Sequence, residues 1–265
     1  MLSNPILQPR RPRQQSLRQE YAEFLEQQIE EYKEELSRED LLAIADDAVR
    51  ELEMASEEQL VLTEVLVLEH VDRLIMQRLK LPTFRKWRHR HLKLRQSQRD
   101  PTYWGMKSGD PIAKLAPRMD DTHSALVLGD EAMPAALLLA AFEWQVLFID
   151  QTLASVESIE KRAATEGLGS RVQALVVQLG NWFPEASPSL VVIGPSVLCD
   201  LDAPSRVRIL DVLKQMTSTA GVHCFLPTQL SEGSLAPAVV RAHYGDWTTH
   251  HRSAEFPDWL LTTKP

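Results

Sequence analysis

Two cysteines in 265 residues, Cys199 and Cys224, are too few and too far apart for a disulfide framework or a zinc knuckle. They read as reduced thiols in a cytoplasmic protein. Long apolar runs are missing as well. The run "PAALLLAAF", Pro134 to Phe142, is about half of the roughly 20 residues that cross a bilayer, so no integral membrane segment is expected. The opening "MLSNPILQPRRPRQQ" lacks the apolar core of a secretory signal, and its prolines oppose an amphipathic targeting helix. Residues 1–16 therefore read as a disordered tail. Positive charge is in deficit: the net charge of −8 gives no global reason to expect nucleic acid or an anionic membrane as partner. No phosphate-loop lysine motif, nucleophile elbow or internal repeat occurs. His250 and His251 are adjacent in an expected strand and so point to opposite faces, which excludes a shared metal site from that pair. No metal is expected.

What is present falls into two halves with different periods. From Leu17 to Arg99 the pattern is helical. Tyr21, Leu25, Ile29, Tyr32 and Leu36 recur at spacings of four and three, one apolar stripe on an acidic helix. Ser37, with Asp40 three residues on, offers an N-cap for a second stripe of Leu41, Ile44, Ala45, Ala48, Val49 and Leu52. The "SEEQ" at 56–59 repeats the device before a third helix, apolar around much of its circumference and expected at the centre of a small bundle. Pro82 interrupts that helix, and "FRKWRHRHLKLRQSQR" begins a fourth.

Charge is segregated among these helices. Residues 20–74 carry eighteen acids against four bases, whereas residues 78–99 carry nine Lys or Arg, two His and no acid. One reading lays the basic helix against the acidic ones, neutralising them, or leaves it as a solvated face; this reading is preferred. Another makes Arg85, Lys86, Arg88, Arg90, Lys93 and Arg95 a patch for phosphates, with Trp87 stacking or inserting. A membrane surface or a protein is a further partner such a helix would suit. If helix 84–99 serves a partner, Arg85, Trp87, Arg88 and Arg90 are the residues expected to meet it.

Residues 100–123, with three prolines and two glycines, read as a linker containing a short helix and anchored by Tyr103 and Trp104. From Ser124 onward, apolar strands alternate with helices: "SALVLG", "WQVLFID", "RVQALVVQL", "SLVVIGP" and "VHCFLPT". That alternation predicts a parallel sheet covered on both faces. "GDWTTHHRSA" and "PDWLLTTKP" are too close for a crossover and read as an antiparallel hairpin. The fold class is thus α/β, an N-terminal helical bundle followed by a Rossmann-like, mostly parallel sheet over 124–265.

The order of these elements, and "VLFIDQTLASVESIEKRAATEGLGSRVQALVVQLGNWFP" in particular, resembles the class I S-adenosylmethionine-dependent methyltransferases. The resemblance implies a first strand ending in an acid and a glycine-rich turn, where glycines let the backbone approach the cofactor's methionine part. Aligned on Gly129, this chain has Val127 in place of the acid and Glu131 and Met133 in place of the next two glycines. Val127 cannot hold an ammonium group, and Met133 is expected to take volume where the ligand would lie. Asp150 matches the acid that accepts the ribose hydroxyls; read by itself, it is a capping acid before Thr152. Gln178 stands where an acid often accepts from the adenine. Leu179 and Trp182 are expected to pack against the sheet. The cofactor-binding residues, if S-adenosylmethionine binds, are Gly129, Glu131, Asp150 and Gln178. Ser196, Cys199 and Asp200 lie on the acceptor side without an evident partner, and no catalytic residue is assigned. Two functions follow. One is a methyltransferase-like module with an impaired cofactor loop, binding no cofactor and working as a scaffold, with a protein as partner. The other is an active methyltransferase acting on a small molecule or, through the basic helix, on nucleic acid or protein. A different ligand in the same crevice is a third.

Overall fold

The computed structural model describes residues 16–55, 64–117, 123–180, 182–199, 201–227, 237–250 and 260–265. Of the tail expected over 1–16, residues 1–15 lie outside the described residues, as do the "SEEQ" cap, Asp200 and His251, whereas Ser16 caps the first helix. The chain divides into two compact units, Pro9–Leu94 and Arg95–Pro265.

In the first unit, α1 spans Leu17–Glu35, α2 Arg38–Ala55 and α3 Glu64–Arg78, and α4, Phe84–Gln98, begins here and runs across the division. Ser16 starts α1 through a reciprocal capping box with Gln19. Ser37 caps α2, its Oγ accepting from the Asp40 amide at 3.1 Å. The stripes read from the sequence meet as a core of Ile29, Ile44, Ala48, Val71, Leu74 and Ile75. Three of these six come from the second half of α3, which packs on both α1 and α2. The first turns of α3 differ from expectation: Val65, Leu66 and Leu68 are exposed.

A second set of contacts corrects the role given to Trp87. It is 8% exposed and lies among rings of α1 and its own helix. Its centroid is 5.3 Å from Tyr21, 6.1 Å from Phe24 and 6.2 Å from Phe84, and it stacks on His91 at 4.4 Å. The Tyr21 hydroxyl donates to the Pro82 carbonyl at 2.8 Å, tying α1 to the turn before α4. Trp87 is a core residue of this unit, because Phe84, Trp87 and His91, three and four residues apart, form an inward stripe of α4 in which Trp87 is buried and the other two are half-buried.

The second unit takes in residues expected to form a linker. Pro101–Trp104 is a short 3-10 turn and α5 is Pro111–Leu115, each begun by a proline after an aspartate, with Gly105 at φ +80 closing the first turn. Trp104 is buried and its Nε1 donates to the Gln98 carbonyl at 2.6 Å; the Tyr103 hydroxyl donates to Glu166 at 2.8 Å. Both aromatics therefore anchor 100–117 to this unit. The prolines and glycines that suggested a linker are instead cap and turn residues of packed structure.

The sheet strands are β1 (Ser124–Leu128), β2 (Gln145–Asp150), β3 (Val172–Val176), β4 (Leu190–Ile193), β5 (Val222–Phe225), β6 (Thr248–His250) and β7 (Leu260–Thr263). Between them lie α6 (Met133–Ala141), α7 (Leu153–Thr165), α8 (Ser196–Cys199), α9 (Ala203–Met216) and α10 (Pro237–His243). Strand order is β3-β2-β1-β4-β5-β7-β6, with β7 antiparallel to both neighbours. The alternation of β1 sorts it between two cores: Ala125 and Val127 face α6, whereas Leu126 and Leu128 join Ile209, Leu210 and Leu213 of α9. Both faces are covered, as the unbroken apolar strands require.

Candidate functional site

In a sheet of this order the chain turns back between β1 and β4, since β2 and β3 lie outward on one side and β5 on the other. The carboxyl ends of β1 and β4 therefore flank the crevice where such sheets bind ligands. A glycine follows each strand there. The Gly194 amide donates to the Leu128 carbonyl at 2.8 Å, and the Gly129 amide donates to Ile149 at 3.0 Å. Gly129 has φ +91, which L side chains rarely adopt.

The space these glycines leave is used by the protein itself. A Cβ on Gly129 would meet Val197 Cγ2 at 2.6 Å and Glu131 Oε2 at 3.1 Å; one on Gly194 would meet Glu131 Oε2 at 2.8 Å and the Leu128 carbonyl at 2.9 Å. The Glu131 carboxylate crosses from the β1 turn to the start of α8. It accepts from the Ser196 hydroxyl at 2.6 Å and from the Ser196 amide at 3.3 Å. Ser196 thus has a partner after all, one that only the fold reveals. Glu131 is exposed, so the bridge spans the crevice at its surface. The side chain over Gly129 is Val197, not the Met133 expected there. Met133 is half-buried and packs on the core beneath α6, while Val197, 5% exposed, fills the space over Gly129. Val127 is fully buried in the apolar core under α6. Gly129→Ala is expected to cost about 1–3 kcal/mol from backbone strain alone, with the Val197 clash added. Urea unfolding against the parent chain measures it.

One strand over, Asp150 ends β2. Its Oδ1 accepts from the Thr152 amide and hydroxyl, both at 2.8 Å, and the Thr152 hydroxyl in turn caps α7 at Ser155. Its Oδ2 receives no hydrogen bond among the described residues. Gln178 is exposed two residues beyond β3; Leu179 is buried as expected. Trp182 is not packed: it is 58% exposed.

Cys224 is buried in β5, and burial, then the Asp110 charge, pushes its thiol above the ordinary range, away from a nucleophilic thiolate. Among the described residues, no group of three or more His, Cys, Asp or Glu could hold a metal ion.

The sheet is parallel through β3-β2-β1-β4-β5 and ends in antiparallel β7 and β6, so the expected mostly parallel sheet with an antiparallel C-terminal hairpin is present. The C-terminal unit has a Rossmann-like, mostly parallel α/β fold. No protein-family model matches the chain, and no curated protein matches it. Among solved structures it is similar to the N-methyltransferase NodS from Bradyrhizobium japonicum WM9, at 15% identity and a TM-score of 0.45, over 60% of this chain and 99% of that one. It is also similar to the glycopeptide N-methyltransferase MtfA complexed with S-adenosylhomocysteine, at 12% identity and 0.47, over 61% and 91%. TehB from Haemophilus influenzae is similar at 15% and 0.45, over 58% and 61%. None of these likenesses carries a substrate over to this chain.

On the helical unit, Arg85, Lys86, Arg88 and Arg90 are exposed and make no hydrogen bond or ion pair among the described residues. Lys33 pairs with Asp72 at 2.9 Å and Arg78 with Asp47 at 3.1 Å, and His91 of α4 lies 3.0 Å from Glu20 of α1. Arg85, Lys86, Arg88 and Arg90 form a solvated face, one of the two forms of the preferred reading, and do not pair with the acids of α1–α3. No helix among the described residues is long and apolar enough to cross a membrane.

Proposed function

We propose that this chain is a methyltransferase-like protein that works as a non-catalytic binding module rather than by methyl transfer. The observation that supports this most directly is the Glu131–Ser196 bridge with Val197 behind it. The two glycines whose missing Cβ atoms would admit a cofactor's amino-acid tail are covered by the chain's own side chains. A carboxylate at that point would repel the tail's carboxylate, and buried Val127 offers no partner for its ammonium group. S-adenosylmethionine does not fit this half of the crevice. Loss of one charge-assisted bond alone is worth about 1.5–3 kcal/mol, a tenfold to hundredfold loss of affinity. In keeping with the charge and location readings, the module is cytoplasmic and bears its partner surface on the helical unit.

The second reading is an active methyltransferase, and one observation favours it. Asp150 keeps one carboxylate oxygen without a donor among the described residues, at the position the resemblance gives to ribose binding. Calorimetry separates the two. With S-adenosylmethionine or S-adenosylhomocysteine at about 1 mM, a concentration that reports Kd values weaker by only a few-fold, the parent chain is expected to give no binding heat. Glu131→Ala, which removes the bridging carboxylate and leaves Val197, is expected to gain measurable affinity. Micromolar binding by the parent, lost in Asp150→Ala, would establish the enzyme instead.

A further inference from the structure

We propose that the exposed face of α4 formed by Arg85, Lys86, Arg90 and Lys93, with Arg88 at its edge, binds the phosphodiester backbone of a nucleic acid. At 3.6 residues per turn, positions i, i+1, i+5 and i+8 lie on one side of a helix. That side is opposite Phe84, Trp87 and His91, the inward stripe of α4. His89 falls among these cations and no acid interrupts them. Arg85 to Lys93 covers about 12 Å of helix axis at 1.5 Å per residue, a length that matches the width of a B-DNA major groove.

Three features decide the kind of partner. A helix that docks on a membrane presents an apolar face to the acyl boundary, but the apolar face of α4 is already spent against Tyr21 and Phe24. A protein interface of ordinary strength is centred on aromatic or arginine anchors in desolvated pockets. The two aromatic side chains of α4, Phe84 and Trp87, are turned into the ring cluster with Tyr21, and Leu92 and Leu94 are exposed singly on opposite edges of the helix. What remains is an array of long cationic side chains in solvent, Arg85, Lys86 and Arg90 without counter-ions among the described residues, which is the footprint of phosphate binding. The acid-rich helices of the same unit confine a polyanion to this face. The proposal holds whether or not the crevice takes a cofactor.

The test uses the full chain and a fluorescently labelled duplex DNA and RNA strand of about 20 nucleotides, with anisotropy read between 50 and 200 mM salt. Four neutralised phosphates predict a slope near −3.6 for duplex, about a hundredfold weakening across that range. The variant Arg85→Gln/Lys86→Gln/Arg90→Gln/Lys93→Gln is expected to lose about a hundredfold in affinity at the lower salt and most of the salt dependence. Arg85→Lys/Arg90→Lys, which keeps the charge, is expected to bind like the parent. Absence of binding to either nucleic acid at low salt, binding only to phosphatidylserine vesicles, or unchanged affinity in the four-site variant each overturns the proposal.

Discussion

Trp87→Ala is expected to destabilise the helical unit by about 3–5 kcal/mol, the usual cost of emptying a large aromatic site in a packed core. The indole touches Tyr21, Phe24, Phe84 and His91, and through them joins α1 to α4. Its removal takes the shared member out of that ring cluster, and small units have little stability in reserve. Arg85→Ala on the opposite face should move stability by no more than about 0.5 kcal/mol. Urea unfolding followed by far-ultraviolet circular dichroism measures both. If Trp87 were a contact for a partner, the pattern would reverse: its alanine variant would unfold like the parent.

Acidification should weaken the C-terminal unit through His223. This ring is fully buried in β5, with Nε2 2.7 Å from the Thr217 hydroxyl and Nδ1 2.7 Å from the Tyr244 hydroxyl. Thr217 donates its one hydroxyl hydrogen to the Leu213 carbonyl at 2.6 Å, so it must accept from Nε2–H, and Nδ1 accepts from Tyr244. A second ring proton, on Nδ1, would meet the hydroxyl hydrogen that Tyr244 donates there. Burial, and then the charges of Lys264 and Lys214, lower the His223 pKa to about 3. Burial also pushes the Tyr244 hydroxyl up, with Asp211 and Asp246 adding to it, so that hydroxyl stays protonated and donating. The unfolded chain takes up a proton near pH 6.5 that the folded chain refuses. Stability from this group is therefore complete above that pH and is lost as pH falls toward 3, about 1.4 kcal/mol per unit. Between pH 7 and 5 the loss is about 2 kcal/mol. Urea unfolding at several pH values reads the slope, and His223→Gln should flatten it over this window whatever its own stability; an equal slope in that variant would assign the effect elsewhere.

The strands and most helices were legible because their signal is local. Ala125–Leu128 is apolar without a break, as a strand covered on both faces must be, and Asp202 capping α9 at Ser205 follows from an acid before Ala-Pro. The basic stripe of α4 was equally plain, but Trp87 was not assigned to the core, since burial on a helix depends on which neighbours arrive. The site was half legible. Val127, Glu131 and Met133 marked the β1 turn as unusual from its residues alone. That Glu131 would pair with Ser196, and that Val197 would take the space given to Met133, depends on β4 lying beside β1, a contact between segments 65 residues apart. Tyr103 and Trp104 were seen as anchors, yet the prolines around them read as a linker. Proline starts short helices and loosens chains by the same locked φ, so composition alone does not separate the two. The helix α10, seven residues long, is too short to carry a periodic pattern of its own.

The insertion of β7 between β5 and β6 also makes the attachment of one edge indirect. Among the described residues β6 pairs only with β7, and β7 pairs along β5. Residues 248–250 therefore belong to the sheet through 260–263, and the outermost strand on that side hangs on a segment that follows it in the chain.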